Sequence, residues 1–217
     1  MKSIAIIMVP LIGGEIVGNI EGVVLTIFAA YQGNAEAGTW ILMSYVWSFV
    51  ELVPSCFAEA TSVRLVRHLS KARIDFAKEL CVFAIKIGTF ISIICSGVLY
   101  VWGNFFVWCL SLDETLEGML LEVIPYIVIC QPFVSVGIIV ANMNDALHIY
   151  NQTTLISTLV TVLFMLPFGA LMTYYFNYNI EGLAATMCIG YTAMGVASII
   201  IFMKADWERA VRKAQVH

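Results

Sequence analysis

The sequence predicts an all-α, polytopic membrane protein of six spanning helices. Three observations carry that expectation. The 217 residues are 61% hydrophobic and 12% charged, whereas soluble domains carry about 25% charged residues and cannot bury such an apolar excess. The apolar sequence falls into six stretches, each near or above the ~20 residues a spanning helix needs. The basic residues gather in alternate gaps between those stretches. The net charge of −4 comes with no basic block interleaved with aromatics, so no nucleic-acid partner is indicated.

The six segments lie at about 4–31, 39–62, 77–102, 119–144, 152–176 and 182–204, with residues 205–217 as a tail. The first, IAIIMVPLIGGEIVGNIEGVVLTIFAAY, begins like a short signal peptide but stays apolar to Tyr31 without an A-x-A-like site, so it reads as a spanning helix. The breaks are QGNAEAG, the basic stretch from Arg64 to Lys78, LSLDETLEG, DALHIYNQ and NYNIEG. Pro10, Pro54, Pro125, Pro132 and Pro167 all fall within segments, where membrane helices tolerate them if neighbours satisfy the freed carbonyls. No stretch outside the segments is long enough for a soluble domain.

Ten of the eleven Lys and Arg residues lie at one end of such a bundle: Lys2, Arg64, Arg67, Lys71, Arg73, Lys78, Lys204, Arg209, Arg212 and Lys213. The alternate gaps carry Glu36, Asp113, Glu114, Glu117 and Glu181 with no basic residue. The positive-inside rule places both termini in the cytosol. Which membrane holds the protein, plasma or vacuolar/lysosomal, is left open by the sequence.

Six scattered cysteines without a CxxC pair read as small apolar residues rather than a disulfide or metal framework. No metal site or cofactor is expected. His68, His148 and His217 lack partners at ligand spacing, and no nucleotide-binding loop or nucleophile motif is present. The expectation is a non-enzyme.

What remains is a small set of polar groups in hydrocarbon. Glu15 and Glu21 lie in the first segment, where an ionised carboxylate costs several kcal/mol without a partner, water or a proton. Asn19 shares a helix face with Glu15, and Gly14 and Gly18 admit a backbone or solvent. Glu21 points about 120° from Glu15, so one carboxylate faces a central cavity while the other faces a neighbouring helix. Two readings stand: a structural polar pair, or a proton or cation relay.

Glu51, three residues before Pro54, is a candidate for the same cavity, whereas Glu59 suits an interfacial pair with Arg64 or Lys78. Lys86, the one basic residue inside a segment, either snorkels or serves as counter-ion to Glu15, Glu21 or Glu51. Trp40, Tyr45, Trp47 and Phe49 offer cation–π faces. The interfacial aromatic belt is the preferred reading for Trp40, Trp102, Trp108 and Trp207. Tyr45 and Lys86 join Asn19 and Glu51 as candidate cavity-lining residues.

VPSCFAEATSVRLVRHLSKARIDFAKE, from Val53 to Glu79, resembles a signature of the multidrug and toxic compound extrusion (MATE) transporters. Pro54, Ala60, Ser62, Val63, Arg64, Leu69, Ala77 and Lys78 stand at its positions. LPFGALM (Leu166 to Met172), EGLAATMCIG (Glu181 to Gly190) and the Asp206–Trp207 pair are similar to that family's closing stretch in its eukaryotic branch. The resemblance covers the second of the family's two six-helix lobes along nearly its whole length.

It implies secondary active export of organic, often cationic, xenobiotics against protons or, less favoured, Na⁺. It also implies a second six-helix lobe as partner, so that the chain is either a fragment or a half-size protein that pairs. The family's eukaryotic branch carries two glutamates five residues apart in this helix. Glu15 and Glu21 look like that pair at a spacing of six, which implies a role in proton or cation coupling. Val66, Ser70 and Lys71 replace usual glycines, and NMNDALH replaces a Gly-rich turn. The alternatives are a lipid-linked oligosaccharide flippase of the same superfamily, or a non-transporting degenerate membrane partner.

Overall fold

The computed structural model describes residues 2–110, 113–176 and 178–216; the side chains of residues 2–11, 14, 15, 213 and 216 fall outside the described set. Its helices are α1 (Lys2–Gln32), α2 (Asn34–Ser70), α3 (Ile74–Leu110), α4 (Glu114–Ala146), α5 (Tyr150–Val160), α6 (Leu166–Tyr174), α7 (Ile180–Met203) and α8 (Trp207–Val216). A π-helical turn, Thr161–Met165, joins α5 to α6, so these form one broken span. The described residues contain no strand. The described residues form an all-α membrane bundle. Five helices are long and apolar enough to cross a membrane within the described residues, and the first is apolar over its described part, Ile16–Gln32.

The helices outrun the apolar segments that announce them. QGNAEAG shrinks to Gly33 alone, because Asn34 to Ala37 already start α2. The basic stretch after Arg64 is not a loop: α2 continues to Ser70 and α3 starts at Ile74. Lys and Arg are good helix formers, and Leu65, Leu69 and Ala77 of this stretch are fully buried. Residues 205–217, read as a tail, contain α8, whose Ala210 and Val211 are buried against the same cluster.

Local chemistry fixes the ends. Asp113 caps α4 by accepting the Thr115 N–H at 3.1 Å, as its short side chain favours. At the ends of α2 and α4 the chain turns through a left-handed residue, Ala72 (φ 54°) and His148 (φ 58°). Arg73 N–H returns to His68 O and Ala72 N–H to Leu69 O, and Ile149 and His148 repeat the pattern onto Asn144 and Asp145. This is the Schellman cap, usually closed by glycine, and here it forms without one.

Helix α4 is central, packing against α2, α3 and α7, while α1 leans on α2 and the broken span. Small residues set the closest approaches, as expected where lipid supplies no hydrophobic drive between helices. A Cβ on Gly137 of α4 would sit 2.7 Å from the Cα of Gly195 on α7. Further along α4, Asn144 Nδ2 donates to Ser198 O at 3.0 Å. Helices α3 and α4 run antiparallel in one register, with Gly88 under Ile139, Ser92 Oγ donating to Ser135 Oγ at 2.9 Å and Gly103 against Ile124. Large apolar side chains such as Phe90, Val98, Trp102, Phe105 and Trp108 are exposed along α3, as a lipid-facing surface requires.

Gly137→Val should destabilise the bundle by about 1–3 kcal/mol through overpacking, read as a fall in the thermal midpoint of the purified protein. Ala72→Gly should raise stability by up to roughly 1 kcal/mol by removing left-handed strain; an unchanged or lower midpoint would mean that the turn is not strained.

Candidate functional site

A cavity of about 860 Å³ opens between α1, α2, α4, α5 and α7. Its α2 wall is the stripe Trp40, Ser44, Trp47, Ser48 and Glu51, spaced to share one helix face. Gly18, Asn19, Glu21 and Gly22 line it from α1, and Tyr191 and Met194 from α7. A Cβ at Gly18 or Gly22 would meet nothing within 4 Å, so these glycines open space rather than admit a neighbouring backbone. Among the described residues, Glu21 and Glu51 are the only charged groups lining the cavity.

Glu21 is 3% exposed. The Thr161 hydroxyl donates to its Oε2 at 2.8 Å. Its other oxygen, Oε1, is buried and makes no hydrogen bond of ordinary geometry. The Tyr191 side chain is a second hydrogen-bonding neighbour of Glu21 and lies within electrostatic reach of Glu51, and its ring lies 5.6 Å from that of Trp47. The result is two acids beside Trp40, Trp47 and Tyr191, with no basic side chain among the described lining residues to neutralise them.

Thr161 reaches Glu21 from the π-helical turn. Pro167 has no N–H to give Leu163 O, and its ring crowds that carbonyl. The chain widens just before it, with Leu166 N–H bonding to Thr161 O five residues back. Such turns are rare and recur at functional sites.

Of the sequence-predicted site residues, the structure brings Asn19, Glu21 and Glu51 together on the cavity. Glu21 meets the cavity and a neighbouring helix at once, rather than one of the two. The side chain of Glu15 lies outside the described residues. Tyr45 and Lys86 are not cavity-lining. Tyr45 is exposed, because one residue past Ser44 turns it about 100° off the stripe. Lys86 is exposed on α3 beside Lys78, Glu79, Val82 and Phe83, away from either acid. Trp40 does not belong to an aromatic belt: it is 4% exposed and walls the cavity. Trp102 and Trp108 are exposed.

Fold and cavity together define a helical membrane bundle that encloses an acidic cavity. The MatE family profile matches residues 10–171, and the chain belongs to that family. It is 25% identical over 200 residues to Protein DETOXIFICATION 31 of Arabidopsis thaliana, covering 88% of this chain and 37% of that protein. It is 19% identical over 192 residues to the uncharacterized transporter YDR338C of Saccharomyces cerevisiae, covering 88% and 28%. The chain thus spans about a third of the length of these curated relatives. Among solved structures, the eukaryotic MATE transporter AtDTX14 superposes with a TM-score of 0.83 at 17% identity, covering 88% of this chain and 44% of that one. The Vibrio cholerae MATE transporter VcmN in its bent form gives a TM-score of 0.80 at 18% identity, covering 97% and 46%.

Thr161→Val should cost about 1–3 kcal/mol by leaving a second carboxylate oxygen unpartnered, whereas Thr161→Ser should be near neutral. The loss should shrink in a Glu21→Gln background if the two side chains are coupled. Thermal midpoints of the parent, the Thr161→Val and Glu21→Gln single variants and their combination would decide it. Strictly additive losses would rule out the pairing.

Proposed function

We propose that this chain is one lobe of a secondary active exporter and that its cavity takes an organic cation in exchange for protons. The observation that carries this reading is the buried Glu21 on a cavity with Glu51 and no basic residue among its described lining. Ionised acids in such a place attract a cation, and flanking indole and phenol faces add cation–π contact. Protonation removes the charge that holds the cargo, which then leaves. Asn19 would contribute a polar contact, and Na⁺ is the alternative coupling ion. Glu15 joins the coupling pair on the resemblance alone.

A second six-helix lobe would close the cavity from the other side and allow alternating access. The curated relatives, much longer than this chain, support that partnership. With the basic end in the cytosol, both termini and the turns at residues 71–73 and 147–149 lie inside the cell. A lipid-linked oligosaccharide flippase would be favoured by a basic cavity, and Lys86 lies outside this one.

Cells expressing the complete transporter should accumulate less of a fluorescent organic cation than control cells. Glu21→Gln and Glu51→Gln should each weaken export by roughly tenfold, the factor for one charge-assisted contact, and Glu15→Gln should weaken it too. Export that survives with all three carboxylates neutralised sinks the coupling role.

A further inference from the structure

A second feature lies at the basic end of the bundle. There a cleft of about 310 Å³ separates the α4–α5 turn from the α7–α8 turn. Lys204 and Arg209 stand on one wall, His148, Asn151 and Gln152 on the other, and Ile201 and Ala210 at the apolar base. This volume accommodates a phosphate with a small polar substituent. Asp206 is the one acidic residue among the described lining, and its Oδ1 is already engaged by the Arg209 N–H at 3.0 Å. The opposite wall is the first turn of α5, whose amides carry partial positive charge and which no side chain caps.

The surroundings identify the source of such a phosphate. The cleft sits where the sixth span ends and α8 begins, the level at which headgroups meet a membrane protein. Helix α8 is amphipathic: Ala210 and Val211 are buried, Trp207 packs edge-on to Phe202 at 5.8 Å with Lys78 Nζ 5.8 Å from its ring, and Arg209 and Arg212 are exposed. Within the ten residues from Lys204 the chain places four cations, Lys204, Arg209, Arg212 and Lys213, against Asp206 and Glu208. Basic clusters and basic clefts immediately cytoplasmic of a spanning helix are recognition sites for anionic lipids.

We propose that this cleft binds the phosphate headgroup of an anionic phospholipid of the adjacent leaflet, held by Lys204 and Arg209. The lipid's acyl chains then lie along the exposed apolar surface of the last spans. The proposal rests on the orientation given above, since the cytosolic leaflet is the anionic one.

The test is lipid retention by the purified complete protein, measured by native mass spectrometry from detergent with added phosphatidylserine or phosphatidylcholine. Phosphatidylserine should be retained preferentially. The Lys204→Gln/Arg209→Gln double variant should lose roughly thirtyfold in relative affinity, the weakening expected for two near-surface cations. Lys71→Gln/Arg212→Gln, which removes two exposed charges outside the cleft, should lose far less. Equal losses in the two double variants would reduce the site to diffuse surface attraction and overturn the proposal. Equal retention of the two lipids would do the same, as would displacement of phosphatidylserine by millimolar inorganic phosphate, the mark of a free-anion site. Glu21→Gln should leave lipid retention unchanged while impairing export, so failure of the export reading and failure of this one are separable.

Discussion

An acid buried in a membrane protein cannot remain charged and alone, and the arrangement of this lobe follows from where it puts Glu21. Moving a carboxylate out of water costs several kcal/mol unless hydrogen bonds, a counter-charge or a proton replace the lost hydration. Here the protein supplies part of that replacement. Thr161 satisfies one oxygen, Tyr191 stands nearby, and no basic side chain lines the cavity among the described residues. The compensation comes from hydroxyl groups and not from a counter-charge among the described lining residues.

Supporting that buried acid involves an irregular neighbour and a close-packed frame. The irregular neighbour is the fifth span, where Pro167 forces the widened turn that carries Thr161 to α1. The frame is α4, clamped to α7 at Gly137 and Gly195 and to α3 through Ser92 and Ser135. Close packing through small residues resists deformation, because no side chain intervenes to change rotamer. The cavity wall on α7 is packed extensively against α4, whereas α1 packs less extensively against its neighbours.

Much of this was legible in the sequence, for reasons that particular residues make plain. Six spans could be read because hydrocarbon demands unbroken apolar length, and Glu21 and Glu51 because charge in that setting is an energetic exception. The ends of helices could not be placed from hydropathy. The basic stretch past Arg64 is polar outside but buries Leu65, Leu69 and Ala77, and α8 is held by Ala210 and Val211 rather than by an apolar run. Thr161 and Tyr191 carried no signal, since single hydroxyls are ordinary in membrane helices and only the fold brings them to Glu21. The spacing of Thr161 to Pro167 was the one available hint. Trp40 misled because a tryptophan at a segment end fits a belt as well as a cavity wall, and the choice depends on its angular position relative to Ser44, Trp47 and Glu51.

The distribution of charge ties the two proposed sites together. The charged groups described on the cavity are acids, and the opposite sign is concentrated at one end of the bundle, about Lys204, Arg209 and the α2–α3 turn. The buried Glu21 is costly if it stays charged and uncompensated, whereas the exposed cations at the basic end are solvated. A proton or a cationic cargo would neutralise the cavity, and an anionic leaflet would neutralise the basic end. The two compensations differ in kind. The proposed leaflet contact would be permanent, whereas the proposed proton and cargo would exchange for one another.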